Sequence, residues 1–317
     1  MLETASHAAR RTHALAISSD GRKCLSGHKR PDAIWWDLSL PRSQQAVEVS
    51  GLDECALYAA MSHDGMRVVL GRDWEVQVWD AASGDSRCLE VPSAAEKDSE
   101  GEEDKCPSVT CVAIAGSSKY AAAGGFHINN TCQPTGAWLS FWKLEERGNT
   151  LFAVINLPDD QAPRALSISS DGRWVTAITD RDAAWRWEVD SKVLGGPVVL
   201  DGAGVIGKSS ISSDGRTAVA YKDRQVQVWD LTTGTLTATL EGHTEHVNSA
   251  SISADGRRAV SGGDDCLVKV WDLESKTCLA TLEGHTASVR EAALSADGKH
   301  VVSATLACVM RVWQLSM

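Results

Sequence analysis

The sequence predicts an all-β protein assembled from seven copies of one unit. Three observations lead there. A tryptophan recurs at nearly even intervals, an Asp-Gly pair precedes it at a nearly fixed distance, and the residues between them alternate as half-buried strands do.

The tryptophan comes first because it sets the period. Trp followed by Asp, or by a substitute, stands at Trp36-Asp37, Trp79-Asp80, Trp142-Lys143, Trp187-Glu188, Trp229-Asp230, Trp271-Asp272 and Trp313-Gln314. The intervals are 43, 63, 45, 42, 42 and 42 residues. Composition agrees: 12 Trp against 3 Tyr and 3 Phe means that one aromatic is used repeatedly at one structural position. The turn comes next. Asp20-Gly21, Asp64-Gly65, Asp171-Gly172, Asp214-Gly215, Asp255-Gly256 and Asp297-Gly298 each lie 15 or 16 residues before a landmark Trp. The third unit has Ser117-Ser118 instead. Strands fill the spaces. Val226-Gln-Val-Trp229 and Val268-Lys-Val-Trp271 place apolar residues at every second position. Ser249-Ala-Ser-Ile-Ser253 precedes a turn, and Cys278-Leu-Ala-Thr-Leu282 follows a Trp-Asp. Each unit therefore carries about four short strands and no helical period.

Glu241-Gly-His243 to Trp271-Asp272, and Glu283-Gly-His285 to Trp313, resemble the Gly-His to Trp-Asp unit of WD-repeat proteins. The resemblance extends over the whole chain in seven copies. It implies a seven-bladed β-propeller of four-stranded antiparallel blades, one domain over residues 1–317. It also implies that the loops joining blades (d to a) and those joining strands b and c lie on the top face, with the Asp-Gly turns on the bottom. The last unit stops just after its third strand, at Trp313-Gln-Leu-Ser-Met317, while Met1-Leu-Glu-Thr resembles the Thr281-Leu-Glu that ends a fourth strand. The expectation is that the N-terminal strand closes the last blade, which removes an open edge.

Composition bounds the function. The net charge of −11 and pI near 5.3 argue against general nucleic-acid binding, which needs clustered Lys and Arg. The start has no apolar stretch and no run of about 18 apolar residues occurs, so neither a signal peptide nor membrane insertion is expected. Nine Cys (Cys24, Cys55, Cys88, Cys106, Cys111, Cys132, Cys266, Cys278 and Cys308) form no Cys-x-x-Cys pair. That pattern fits a reducing compartment, the cytoplasm or the nucleus, and makes the glycosylation-like Asn129-Asn-Thr131 a chance match.

Several residues pose a choice between structure and chemistry. In the family a blade can be tied by a buried His, Ser, Asp and Trp hydrogen-bond chain, and the sixth unit has all four: His243, Ser261, Asp265 and Trp271. Ser, His and Asp together suggest a hydrolase, but a triad is defined by geometry and roles, and here the spacing matches the structural tetrad. Unit seven keeps His285, Ser303 and Trp313 with Ala307 for Asp. Unit five keeps Asp223 and Trp229 with Gly202 and Ala220 for His and Ser, and unit two keeps Asp73 and Trp79 with Leu70 for Ser. These units must rely more on apolar packing. His7, His13, His28, His63, His127, His246 and His300 show no metal-like spacing, so no metal is expected. Gly202, Gly204 and Gly207 match Gly-x-Gly-x-x-Gly, yet they stand in an inter-blade loop without a βαβ unit, so no nucleotide cofactor is implied.

The long third unit carries 21 extra residues, 12 in the d-to-a loop with its acidic insert at 92–107 and 9 between strands b and c around the second insert at 126–135. The first contains six acids and two Lys between Glu96 and Lys105, too polar to pack. It reads as a solvated loop or as acidic bait for a basic partner.

Nothing in the chain combines a nucleophile, an oriented base and an oxyanion site, so no enzyme is expected. The leading expectation is a non-catalytic scaffold within a multiprotein complex, presenting top-face loops to protein or peptide partners. Lys29, Arg30, Arg72, Arg181, Lys222 and Arg224 in the b-to-c loops are the candidate contacts, as Arg there can hold a carboxylate or phosphate. The alternative is a sensing propeller of a signalling NTPase assembly, its NTPase lying elsewhere.

Overall fold

The computed structural model describes residues 2–3, 12–28, 33–41, 45–49, 58–72, 74–91, 106–128, 134–145, 148–157, 161–169, 171–180, 183–189, 198–200, 209–307 and 309–316. Among them there are 28 strands and no helix.

Blade one is β2 (Thr12–Ile17), β3 (Lys23–His28), β4 (Ala33–Asp37) and β5 (Ala46–Glu48). Blade two is β6 (Tyr58–Met61), β7 (Arg67–Arg72), β8 (Glu75–Asp80) and β9 (Ser86–Leu89). Blade three is β10 (Cys106–Ile114), β11 (Tyr120–Ile128), β12 (Pro134–Leu144) and β13 (Asn149–Leu157). Blade four is β14 (Pro163–Ile168), β15 (Trp174–Thr179), β16 (Ala183–Glu188) and β17 (Val198–Val199). Blade five is β18 (Ser210–Ile211), β19 (Thr217–Lys222), β20 (Gln225–Asp230) and β21 (Thr235–Leu240). Blade six is β22 (Val247–Ile252), β23 (Arg258–Gly263), β24 (Val268–Asp272) and β25 (Thr277–Leu282). Blade seven takes β26 (Val289–Leu294), β27 (His300–Thr305) and β28 (Met310–Gln314), and its outer strand is β1 (Leu2–Glu3). The register of that closure is Leu2 opposite Val312 and Glu3 opposite Arg311, antiparallel. Every blade is a four-stranded antiparallel sheet, in chain order except for β1 in blade seven, and the first strand of each touches that of the next until β26 meets β2. The chain is thus a seven-bladed β-propeller closed by its N-terminal strand, as the repeat count predicts.

The core lies between blades. Seven apolar clusters each join two adjacent blades. The landmark tryptophans sit at these junctions, all 7% exposed or less. Trp79, for example, packs on Leu25, Ala33 and Trp35 of blade one. Truncating one such indole to alanine removes roughly 3–5 kcal/mol.

The bottom turns show why Ser-x-Asp-Gly recurs. Ser18 Oγ donates to Asp20 Oδ1 at 2.6 Å, Asp20 Oδ1 accepts from Arg22 N at 3.0 Å, and Ser18 Oγ accepts from Lys23 N at 3.0 Å. Gly21 takes φ of 68°, and a Cβ on it would lie 2.1 Å from the His300 ring of blade seven. The same Ser-to-Asp bond forms at Asp64, Asp171, Asp214, Asp255 and Asp297. Blade three lacks its own aspartate and borrows one. Ser118, at φ 61°, replaces the glycine and donates to Asp64 of blade two at 3.4 Å, while Arg67 Nη1 donates to Ser118 O at 2.9 Å.

The two inserts differ from the sequence expectation. Cys106 and Pro107 belong to β10, Phe126–Ile128 to β11 and Pro134–Thr135 to β12, so part of each insert lengthens a strand instead of a loop. Extra residues that pair in a ladder satisfy their backbone groups, which a loop leaves to water. Positions 92–105 and 129–133 lie outside the described residues.

Candidate functional site

The structure brings His243, Ser261, Asp265 and Trp271 together. Register explains how: Ala259 faces Trp271 across β23 and β24, so Ser261, two residues on, turns its hydroxyl to the indole. Trp271 Nε1 donates to Ser261 Oγ at 2.8 Å. An indole only donates, so the Ser261 hydroxyl directs its proton to His243 Nε2, 2.8 Å away. His243 Nδ1 then donates to Asp265, with its carboxylate oxygens at 2.8 and 3.0 Å. Asp265 also accepts from Thr244 N at 3.1 Å and from Leu267 N at 3.2 Å. Burial lowers the His243 pKa, and Asp265 opposes that. Ser261 is wholly buried and its hydroxyl is satisfied on both sides, so it has no open direction from which to attack a substrate.

Blade seven solves the same problem without the aspartate. Trp313 Nε1 donates to Ser303 Oγ at 2.8 Å, and His285 Nε2 lies 2.7 Å from that oxygen. His285 Nδ1 is buried with no hydrogen-bond partner among the described residues. The pair Thr305/Ala307 stands where blade six has Gly263/Asp265. A Cβ on Gly263 would come within 2.8 Å of Asp265 Oδ1 and 2.9 Å of His243 Nδ1, so the aspartate requires the glycine. With Ala307 the constraint is lifted, and the residue at the glycine position is Thr305, which is buried. In blade one, Trp36 Nε1 donates to Ser26 Oγ at 3.0 Å. The indole N–H groups of Trp79, Trp142, Trp187 and Trp229 are buried with no partner among the described residues, in blades that carry Leu70, Ala123, Ala177 and Ala220 at the position of Ser261.

Burial, followed by the nearby Arg311 charge, pushes His285 down to about 4. The unfolded chain titrates this histidine near 6.5. Between those values the unfolded state binds the proton and the folded state does not, so the contribution is complete above pH 6.5 and fades as the pH falls towards 4. The thermal midpoint should therefore drop through that window. His285→Gln should flatten the pH profile measured by calorimetry, and an unchanged profile would refute the assignment.

The predicted partner contacts are placed unevenly. Lys222 and Arg224 flank the b-to-c turn of blade five, both exposed and with no carboxylate partner among the described residues. Asp223 between them takes φ of 53° and its carbonyl accepts from Val247 N at 2.8 Å, which fixes the turn on blade six. Lys29, Arg30 and Arg181 lie outside the described residues. Arg72 departs from the expectation. It is 8% exposed and its guanidinium is held by Glu75, so it is a buried ion pair instead of a free surface cation. Glu75, its partner across β7 and β8, supplies the carboxylate that a buried guanidinium requires.

Sequence reasoning missed Trp74. It stands in the blade-two turn at the position Arg224 holds in blade five, and it is 55% exposed. The signal was present: a Trp outside the landmark series, between Asp73 and Glu75 in a turn. A second polar group crosses the top of blades six and seven. Asn248 Nδ2 donates to Asp264 Oδ1 at 2.7 Å, Ser288 Oγ donates to the same oxygen, and Arg290 Nη1 donates to Asn248 Oδ1 at 2.8 Å. Among the described residues no group of His, Cys, Asp and Glu is arranged to hold a metal, and no helix is long and apolar enough to cross a membrane.

Comparison with known proteins agrees with this geometry. Residues 234–272 and 276–314 match the WD domain, G-beta repeat family. The nuclear distribution protein PAC1 of Coccidioides posadasii (strain C735) is 44% identical over 48 residues, 15% of this chain and 10% of that protein. The nuclear distribution protein PAC1 of Arthroderma otae (strain ATCC MYA-4605 / CBS 113480) is 41% identical over 61 residues, 19% of this chain and 13% of that protein. The matches thus span about a tenth of the length of these relatives.

Proposed function

We propose that this WD-repeat β-propeller is a non-catalytic scaffold that binds protein partners through the face carrying its b-to-c turns. WD-repeat propellers generally bind other proteins, and the tetrad that resembles a hydrolase triad is closed to substrate. The observation that carries the reading is Trp74. A tryptophan more than half exposed offers a large apolar contact, the usual character of an interface anchor. Lys222 and Arg224 stand on the same face and supply charge that can steer and orient an acidic partner. The chain would then act as one subunit of a larger assembly in the cytoplasm or the nucleus, with no nucleic-acid ligand.

The test uses the partner recovered with the full chain and then purified. Trp74→Ala combined with Arg224→Glu should weaken binding by about 10–100-fold, about 1.4–2.7 kcal/mol. Lys299→Glu and Arg257→Glu on the opposite face should leave the affinity unchanged. Equal affinity for the Trp74/Arg224 variant and the original chain would move the site off this face.

A further inference from the structure

The bottom of blade four differs from that of blades two and six. In blades two and six the first residue of the second strand is an arginine that reaches the next blade's turn: Arg67 Nη1 donates to Ser118 O at 2.9 Å and Arg258 Nη1 to Gly298 O at 3.0 Å. Blade four has Trp174 at that position. Its bridge comes instead from Arg186 on β16, whose Nη2 donates to Asp214 O at 3.1 Å. The Arg186 guanidinium lies 4.4 Å from the centre of the Trp174 ring, and Arg173 lies 5.8 Å from it. Two arginines, Arg173 and Arg186, therefore lie against one indole, and Arg216 stands in the next blade's turn, two residues beyond the Asp214 that Arg186 reaches.

Their charges are poorly matched by carboxylates. Arg173 is paired with Glu188, at 2.6 and 2.8 Å. Arg67, in the corresponding bridge, is paired with Asp80 at 3.2 Å. Arg186 has a main-chain carbonyl as its acceptor, and its Nε is buried without a partner among the described residues. Beside it the Thr176 hydroxyl, 1% exposed, also has no partner among them. Arg216 is exposed and forms no ion pair among the described residues. Burial and then the neighbouring Arg216 charge pull the Arg186 pKa down, against Asp214. Asp171 and Asp214 stand nearby, but each spends Oδ1 on a serine hydroxyl and a backbone N–H within its own turn. Like charges held together beside an aromatic face, in a chain of net charge −11, fit a ligand that brings its own negative charge.

The geometry points to a bottom-face site at Trp174, Arg186 and Arg216 that takes a phosphate monoester on a partner's side chain, with phosphotyrosine the best fit. A phosphate dianion matches the two guanidiniums that lack carboxylates, and a phenyl ring can lie against the indole. From Arg216 an open groove of about 580 Å³ runs between blades five and six, past Leu273, Arg257 and the carboxylates of Asp230 and Glu274, and gives a peptide whose other residues are neutral or basic a place to lie. This site is on the face opposite Trp74 and stands or falls independently of the scaffold reading.

Calorimetric titration of the full chain tests it. O-phospho-L-tyrosine, inorganic phosphate and sulfate are compared at constant ionic strength. Phosphotyrosine should saturate the chain and bind at least about tenfold more tightly than sulfate. Arg216→Gln should weaken that binding about tenfold with no change in thermal midpoint, since the exposed Arg216 side chain forms no ion pair among the described residues. Trp174→Leu should bring phosphotyrosine down to the affinity of inorganic phosphate. The proposal is overturned if sulfate binds as tightly as phosphotyrosine, if inorganic phosphate does so in the unaltered chain, or if Arg216→Gln leaves the affinity unchanged.

Discussion

Deleting residues 1–5 is expected to lower the thermal midpoint by about 5 °C and to expose the last blade to hydrogen exchange. The deletion removes β1, whose pairing with β28 closes the ring. Val312, opposite Leu2, is 5% exposed, and Trp313 beside it 7%. Losing a few ladder hydrogen bonds and uncovering these side chains costs roughly 3 kcal/mol, a shift of that size for a domain this long. The effect should be local at first. β28 becomes an edge strand with unpaired backbone groups, so its amides should lose protection while those of blade five keep theirs. Concentration-dependent association should follow, as the bare edge seeks another chain. An unchanged midpoint together with unchanged protection across residues 310–314 would show that β1 does not close the ring.

Asp265→Ala is expected to cost about 2–4 kcal/mol. Three donors lose their acceptor at once: His243 Nδ1, Thr244 N and Leu267 N. The substitution gives blade six the Ala of blade seven but not its Thr305, leaving room beside a buried imidazole. Gly263→Thr should therefore change sign with context. Alone it should destabilise, because its Cβ would meet Asp265 Oδ1 at 2.8 Å. In the Asp265→Ala background it should restore part of the loss, since the pair then copies Thr305/Ala307. Chemical denaturation of the two single variants and the double variant measures the coupling. Additive losses would falsify the idea that the two positions exchange together. His243 in Asp265→Ala should also titrate lower than in the unaltered chain, as His285 does without its carboxylate.

The sequence by itself determined the number of blades, their strand order and their closure. Each rests on contacts within one unit or on its repetition: Trp271 is placed by the alternation of β24, and Asp255-Gly256 by the turn it must make. The spacing of His243, Ser261 and Asp265 was legible for the same reason, because a register two residues from the tryptophan follows from a regular ladder. Tertiary structure decided whatever depends on the neighbouring blade or on which way a turn residue faces. Arg72 and Lys222 end the second strands of their blades at the same register, yet one is buried against Glu75 and the other exposed opposite Gln225, because only blade two sets a carboxylate across from the cation. Ser118 takes its aspartate from 54 residues away, a partner with no local pattern. The partnerless His285 Nδ1 and the two arginines against Trp174 are likewise invisible to periodicity, since strand alternation fixes the face on which a side chain stands and only packing between blades fixes what it meets there.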